Sequence, residues 1–155
     1  MHTFEGLYGE NDCLIRIKGN REEPFILVNL EILYELIKNS SLISENLCKG
    51  KRCDCIYITK NSEDRKLYIY ILEFKNDIPD KTNKGISDIR EKFTSTEECL
   101  KEILKNLNLP DNGYTIKRRI FVASEKLYNR VNAIWTRVTK KPYIEIRKSG
   151  EELFT

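Results

Sequence analysis

Three side chains able to hold a cation and use it sit close together in the chain: Asp54 in CDCIYIT, and Glu73 and Lys75 in LYIYILEFK. Both runs are rich in β-branched and aromatic residues and read as strands, from about Cys53 to Thr59 and from about Leu67 to Lys75. The polar KNSEDRK between them reads as a turn. A hairpin folded about Glu63 and Asp64 sets Ile58 against Ile69, Ile56 against Ile71, and Asp54 against Glu73. Directly opposed residues share a face, with Cβ atoms about 5 Å apart. Two carboxylates placed this way repel, and a bound cation removes the repulsion. Lys75 lies two residues beyond Glu73 and so emerges on the same side.

The second strand is apolar on both faces, the pattern of a central strand covered on both sides. Glu and Lys are rarely buried without partners, so Glu-x-Lys at its end puts charge at the lip of a core. The plainer alternative is that the strand surfaces there and water solvates the charges. Carboxylates select hard cations such as Mg²⁺ or Mn²⁺. A cation on Asp54 and Glu73 generates hydroxide near neutral pH and polarises a phosphoryl oxygen, and an adjacent ammonium stabilises developing negative charge.

Around this hairpin the chain reads as an α/β sandwich with a mixed sheet. FEGLYGENDCLIRIKGN suggests an N-terminal β-hairpin over residues 1–20, and residues 24–148 form the core of one domain spanning 1–155. A helix of about fourteen residues is expected from Pro24, with Leu27, Leu30, Tyr34 and Ile37 on one stripe and Glu31 and Glu35 beside it. A helix over Ile86 to Phe93 and a separate one starting at Thr96 follow. YTIKRRIFVAS reads as a strand. SEKLYNRVNAIWTRVTKK reads as a helix with a core stripe of Leu127, Val131, Ile134 and Val138. PYIEIRK reads as an edge strand, a surface on which a homodimer could form.

The composition, 40% hydrophobic and 33% charged, is that of a globular domain large enough to bury a core. No apolar run approaches a membrane span, and the N-terminus lacks the apolar stretch of a signal peptide, so a cytoplasmic protein with no membrane partner is expected. The absence of Gln and the abundance of Ile, Lys and Glu fit a thermophile. Among the five cysteines there is no C-x-x-C pair, which argues against a zinc ribbon. Cys53 and Cys55 are expected on the face opposite Asp54, as core packing, and Cys48 is a candidate for a disulfide. The single histidine is His2, so Ser-His-Asp and Cys-His catalysis lack their base.

Asp54 followed nineteen residues later by Glu73-Phe74-Lys75 across a hairpin resembles the PD-(D/E)xK nuclease superfamily. Cys53 stands where the family name has proline. The resemblance, from about Pro24 to Ile146, implies a restriction-endonuclease-like sandwich, a central mixed β-sheet flanked by α-helices. It implies Mg²⁺ or Mn²⁺ held by Asp54 and Glu73 with the Phe74 carbonyl, and Lys75 beside the attacking water or scissile phosphate. The acid that the family draws from a preceding helix falls to Glu31 first and Glu35 second. The glutamine of the family's following helix has no match; Asp88 and Arg90 are nearest in position and differ in type. The implied reaction is phosphodiester hydrolysis, in DNA more than in RNA. The alternative is a catalytically inactive nucleic-acid-binding or scaffold protein with the same fold.

The charge distribution bears on that partner. The net charge is +3, but residues 114–148 hold ten Lys and Arg against Glu125 and Glu145, a net +8 that leaves −5 elsewhere. Arg130, Arg137 and Lys141 recur at seven and four residues and share one helix face, a stripe able to track phosphates. Lys51, Arg52, Lys84, Arg118 and Arg119 complete the candidate nucleic-acid contacts, with Lys92 a further phosphate candidate. A solvated basic face is the alternative.

Overall fold

A computed structural model of the chain describes residues 3–10, 13–20, 24–44, 50–79, 83–138 and 143–154. Strands β1 (Thr3–Glu10) and β2 (Cys13–Asn20) pair as an antiparallel hairpin. Then come β3 (Phe25–Asn29), α1 (Leu30–Ile37), β4 (Cys55–Lys60), β5 (Leu67–Lys75), α2 (Asn83–Asn106), β6 (Tyr114–Ala123), α3 (Glu125–Val138) and β7 (Glu145–Lys148). The five-stranded sheet runs β3-β4-β5-β6-β7, with β3, β4 and β5 antiparallel and β5, β6 and β7 parallel. The fold is α/β with a mixed sheet, β7 lies at one edge as the sequence implies, and β3 forms the other.

The β4–β5 register is the expected one: Ile58 faces Ile69 and Ile56 faces Ile71. Its turn fixes it. Asn61 Oδ1 accepts the backbone N–H groups of Glu63 and Asp64, and Arg65 takes a positive φ of 64° to close the loop.

Alternation along β5 builds two cores. Ile69 and Ile71 face one layer with Ile56, Phe121, Leu30 of α1, Phe93 of α2, and Leu127, Val131 and Trp135 of α3. Tyr70, Leu72 and Phe74 face the other, with Ile15 and Ile17 of β2 and Leu153. Among the described residues the helices therefore pack on one face of the sheet. The expectation of a sheet flanked by helices is corrected on the second face, where the N-terminal hairpin does the covering. Among the described residues no helix is long and apolar enough to cross a membrane.

Three further expectations change. The helix placed at Pro24 begins at Leu30, because Phe25–Val28 pair with β4 and Asn29 caps the helix, its Oδ1 accepting from Ile32 N–H at 3.0 Å. The two helices separated before Thr96 are one helix, α2, of 24 residues. Thr96 does not start a helix; its buried hydroxyl donates back to the Lys92 carbonyl at 2.7 Å within α2. Cys53 and Cys55 do not share a face: Cys53 packs in the helix-side core and Cys55 on the hairpin side, because the strand starts only at Cys55. Cys48 lies outside the described residues, and Cys99 is disulfide-bonded.

Trp135 ties α3 to the sheet. Its ring stacks on Phe121 with centroids 4.8 Å apart, and its Nε1–H donates to the Ile144 carbonyl at 2.7 Å. Trp135→Ala is expected to cost about 3–5 kcal/mol of unfolding free energy in urea titrations. Trp135→Phe keeps the stack, loses the hydrogen bond, and is expected to cost about 1–3 kcal/mol. Equal losses would show that the stack contributes nothing.

Candidate functional site

β5 is the strand at which the sheet changes from antiparallel to parallel, and its C-terminal end, where crevices form in such sheets, carries Glu73 and Lys75. β4 begins at Cys55, so Asp54 sits one residue before the ladder. In place of a further ladder step the backbone takes other partners. Cys53 N–H donates to Thr96 Oγ1 on α2 at 2.8 Å, and Phe74 N–H donates to Asp54 Oδ2 at 2.7 Å. Leu30 N–H, at the start of α1, donates to the Asp54 carbonyl at 3.0 Å. Asp54 is thus fixed by its preceding residue, its own carbonyl and its side chain.

Glu73 is fully buried, with 0% exposure. Its Oε2 accepts from Lys92 Nζ on α2 at 2.6 Å, and its Oε1 is buried with no donor reaching it. The Asp54 carboxyl lies within hydrogen-bonding reach of Glu73. Burial, followed by the Asp54 carboxyl and its charge, pushes the Glu73 pKa up to about 8, against the opposing pull of Lys92. Burial presses Lys92 the other way, yet the hydrogen bond and charge of Glu73, with Asp54 behind them, hold it above the usual lysine value. The pair is therefore unequal: one ammonium stays charged, while burial and a second carboxyl outweigh it at Glu73. Cys53, beside them, has its thiol pushed well up by burial and then by the charge of Glu73, so it stays a thiol rather than a nucleophilic thiolate.

Lys75 follows Glu73 on the same face of β5 by alternation. Its ammonium makes no hydrogen bond or ion pair among the described residues, and its carbonyl accepts Ser124 N–H at 3.0 Å, tying the strand end to the start of α3. The Phe74 ring is buried on the hairpin side. Its carbonyl leaves the strand on the same edge as the N–H that meets Asp54, so it faces the same gap.

Other candidates lie elsewhere. Both carboxylate oxygens of Glu31 accept from Arg52 Nη2, at 3.1 and 3.0 Å, and Arg52 stacks 3.9 Å over the Tyr34 ring. Glu35 pairs with Lys38. Among the described residues no third His, Cys, Asp or Glu joins Asp54 and Glu73. Arg118 grips Glu145 and the Leu153 carbonyl, and Arg119 grips Glu97, on opposite faces of β6. Lys51, Lys84 and Arg130 are exposed; Arg137 lies on α3, and Lys141 is outside the described residues.

The residues that sequence reasoning missed at the centre are Lys92 as the partner of Glu73, and Thr96 as the anchor of Cys53. Both follow from the unbroken α2 register, in which Lys92 flanks the buried Ile89, Phe93 and Thr96 stripe. No protein-family model matches the chain, and no curated protein or solved structure matches it.

The raised Glu73 pKa has a signed effect on stability. Below the ordinary value of 4.5 Glu73 is protonated both folded and unfolded, and its contribution is complete. Between 4.5 and about 8 the unfolded chain releases the proton first, so stability falls as pH rises through that window. With chelator present, wild type is expected to lose more stability between these limits than Glu73→Gln, whose amide stays neutral. The difference is on the order of a few kcal/mol. Matching denaturant midpoints across pH for the two proteins would show that folded Glu73 holds no proton.

Proposed function

We propose that this chain is a metal-dependent nuclease of PD-(D/E)xK type, hydrolysing phosphodiester bonds in DNA more than in RNA. The observation that carries this reading is the buried Asp54–Glu73 pair, with one carboxylate oxygen reached by no donor and two lysines beside it. A solvated strand end would not bury Glu73 or bring a second carboxyl against it. The donorless Oε1 is the kind of atom a hard cation satisfies, and oxygen donors suit Mg²⁺ or Mn²⁺. Asp54 and Glu73 would hold the ion, with the Phe74 carbonyl adjoining. When bound, such an ion supplies hydroxide near neutral pH and polarises the phosphoryl oxygen.

The chain's own residues do the rest. Phe74 N–H and Leu30 N–H keep Asp54 aimed at Glu73. Lys75, without an ion-pair partner among the described residues, offers its ammonium to the scissile phosphate and to the charge that grows there. Exposed Lys51, Lys84 and Arg130 suit the phosphate backbone, whereas Arg118 and Arg119 are engaged in bidentate ion pairs within the fold. The second reading, a catalytically inactive nucleic-acid-binding or scaffold protein, draws on the meeting of only two carboxylates among the described residues.

The test is cleavage of plasmid, single-stranded and branched DNA with Mn²⁺, Mg²⁺ or chelator. Wild type is expected to cut with either metal and to stop in chelator. Asp54→Asn and Glu73→Ala are each expected to lose about 100-fold or more in rate. Binding of DNA without cleavage would favour the inactive reading, and cleavage that survives Glu73→Ala would remove this site from the reaction.

A further inference from the structure

Two lysines stand at this site in opposite states. Lys75 makes no hydrogen bond or ion pair among the described residues, whereas Lys92 is locked 2.6 Å from the buried Glu73. We infer that Lys92 is a second phosphate-binding residue, held on Glu73 until a divalent cation engages that carboxylate and then turned toward the substrate. The inference rests on the cation-site reading above and adds a role for a helix residue outside the Asp-Glu-x-Lys pattern.

The argument is electrostatic and steric. Glu73 sits on a central strand with 0% exposure, so the flexible partner of the pair is Lys92, whose side chain is 20% exposed and carried on a four-carbon stem. Lys92 donates to one Glu73 oxygen while no donor reaches the other. A divalent cation shared by Asp54 and Glu73 would neutralise the carboxylates and repel the ammonium. A phosphate brought to the same lip is then the anion within reach of the released side chain. The Lys92 backbone does not have to move, because its carbonyl is held by Thr96, which also holds Cys53. The two lysines thus differ in when they are available: Lys75 always, Lys92 only with the cation.

Binding of a fluorescein-labelled DNA duplex, followed by anisotropy over a range of salt, separates them. Ca²⁺ serves as the cation and EDTA as its absence. Each phosphate contact contributes about 0.9 to the slope of log affinity against log salt. Lys92→Gln is expected to lose about that slope relative to wild type in Ca²⁺ and none in EDTA. Lys75→Gln is expected to lose it in both. A Lys92→Gln slope that changes equally in both conditions, or in neither, overturns the inference while leaving metal-dependent cleavage by wild type intact. No cleavage with Mn²⁺ and no effect of Ca²⁺ on DNA binding would instead remove the underlying reading, and this inference with it. Should Lys92→Gln fail to fold, reductive dimethylation of wild type, read peptide by peptide, decides. Lys92 is expected to be protected in EDTA and to react as readily as Lys75 in Ca²⁺. Continued protection in Ca²⁺ overturns the inference.

Discussion

Two carboxyl groups are held against each other at the end of a covered strand, and much of the surrounding structure bears on keeping them there. Left alone, Asp54 and Glu73 would separate or drive the strand end into water. Separation is prevented by backbone bonds: Phe74 N–H holds the side chain of Asp54, and Leu30 N–H holds its carbonyl. Escape of Glu73 is prevented by its strand, which pairs on both edges with β4 and β6. The remaining cost is met by a proton on Glu73 and by the ammonium of Lys92. A buried pair of this kind is poor evidence for stability, since a well-packed apolar pair of similar volume would serve the fold as well or better. The carboxyl pair sits at the strand where the sheet changes from antiparallel to parallel.

The two faces of the sheet divide the work. The hairpin side, built on Ile15, Ile17, Tyr70 and Leu72, is aliphatic and aromatic packing. The helix side carries the Asp54–Glu73 pair, and α2 crosses it with Lys92 and Thr96 one turn apart, while the Arg118–Glu145 ion pair lies on the hairpin side. Thr96 has two tasks there: its oxygen accepts the Cys53 N–H, and its proton goes back to the helix. A valine at this place would fill the same volume and leave the Cys53 donor buried without a partner.

The central hairpin was legible because every cue agreed. Strand periodicity, a polar turn and opposed isoleucines fix one register, and that register carries Asp54 to Glu73. The edge strand β7 and its neighbour β6 followed from local composition. What stayed hidden depends on contacts distant in sequence. Phe25–Val28 satisfies a helical stripe and a strand equally, and only pairing with β4 decides between them. Thr96 resembles a cap until Cys53 is seen to need its oxygen. The break inserted there hid the continuity of α2, and the pairing of Lys92 with Glu73 spans two elements that a linear reading does not bring together. Arg118 and Arg119 look like a phosphate-binding patch in a linear reading, yet Glu145 and Glu97, each more than twenty residues away, take up both guanidinium groups.

The continuity of α2 ties distant parts of the molecule to one another. At about 1.5 Å per residue it is a rod of roughly 36 Å, with Lys92 and Thr96 near its middle. Its C-terminal part is fastened to the turn after α1, where Asn106 donates to the Leu42 carbonyl and Glu102 accepts from Ser44 N–H. The first residue of α1 in turn grips Asp54. The linkage closes on itself: strand end, short helix, turn, long helix, and back to Glu73. A pull on the outer turn near Leu42 would thus arrive at the carboxyl pair from two directions, along α1 to Asp54 and along α2 to the counterion of Glu73.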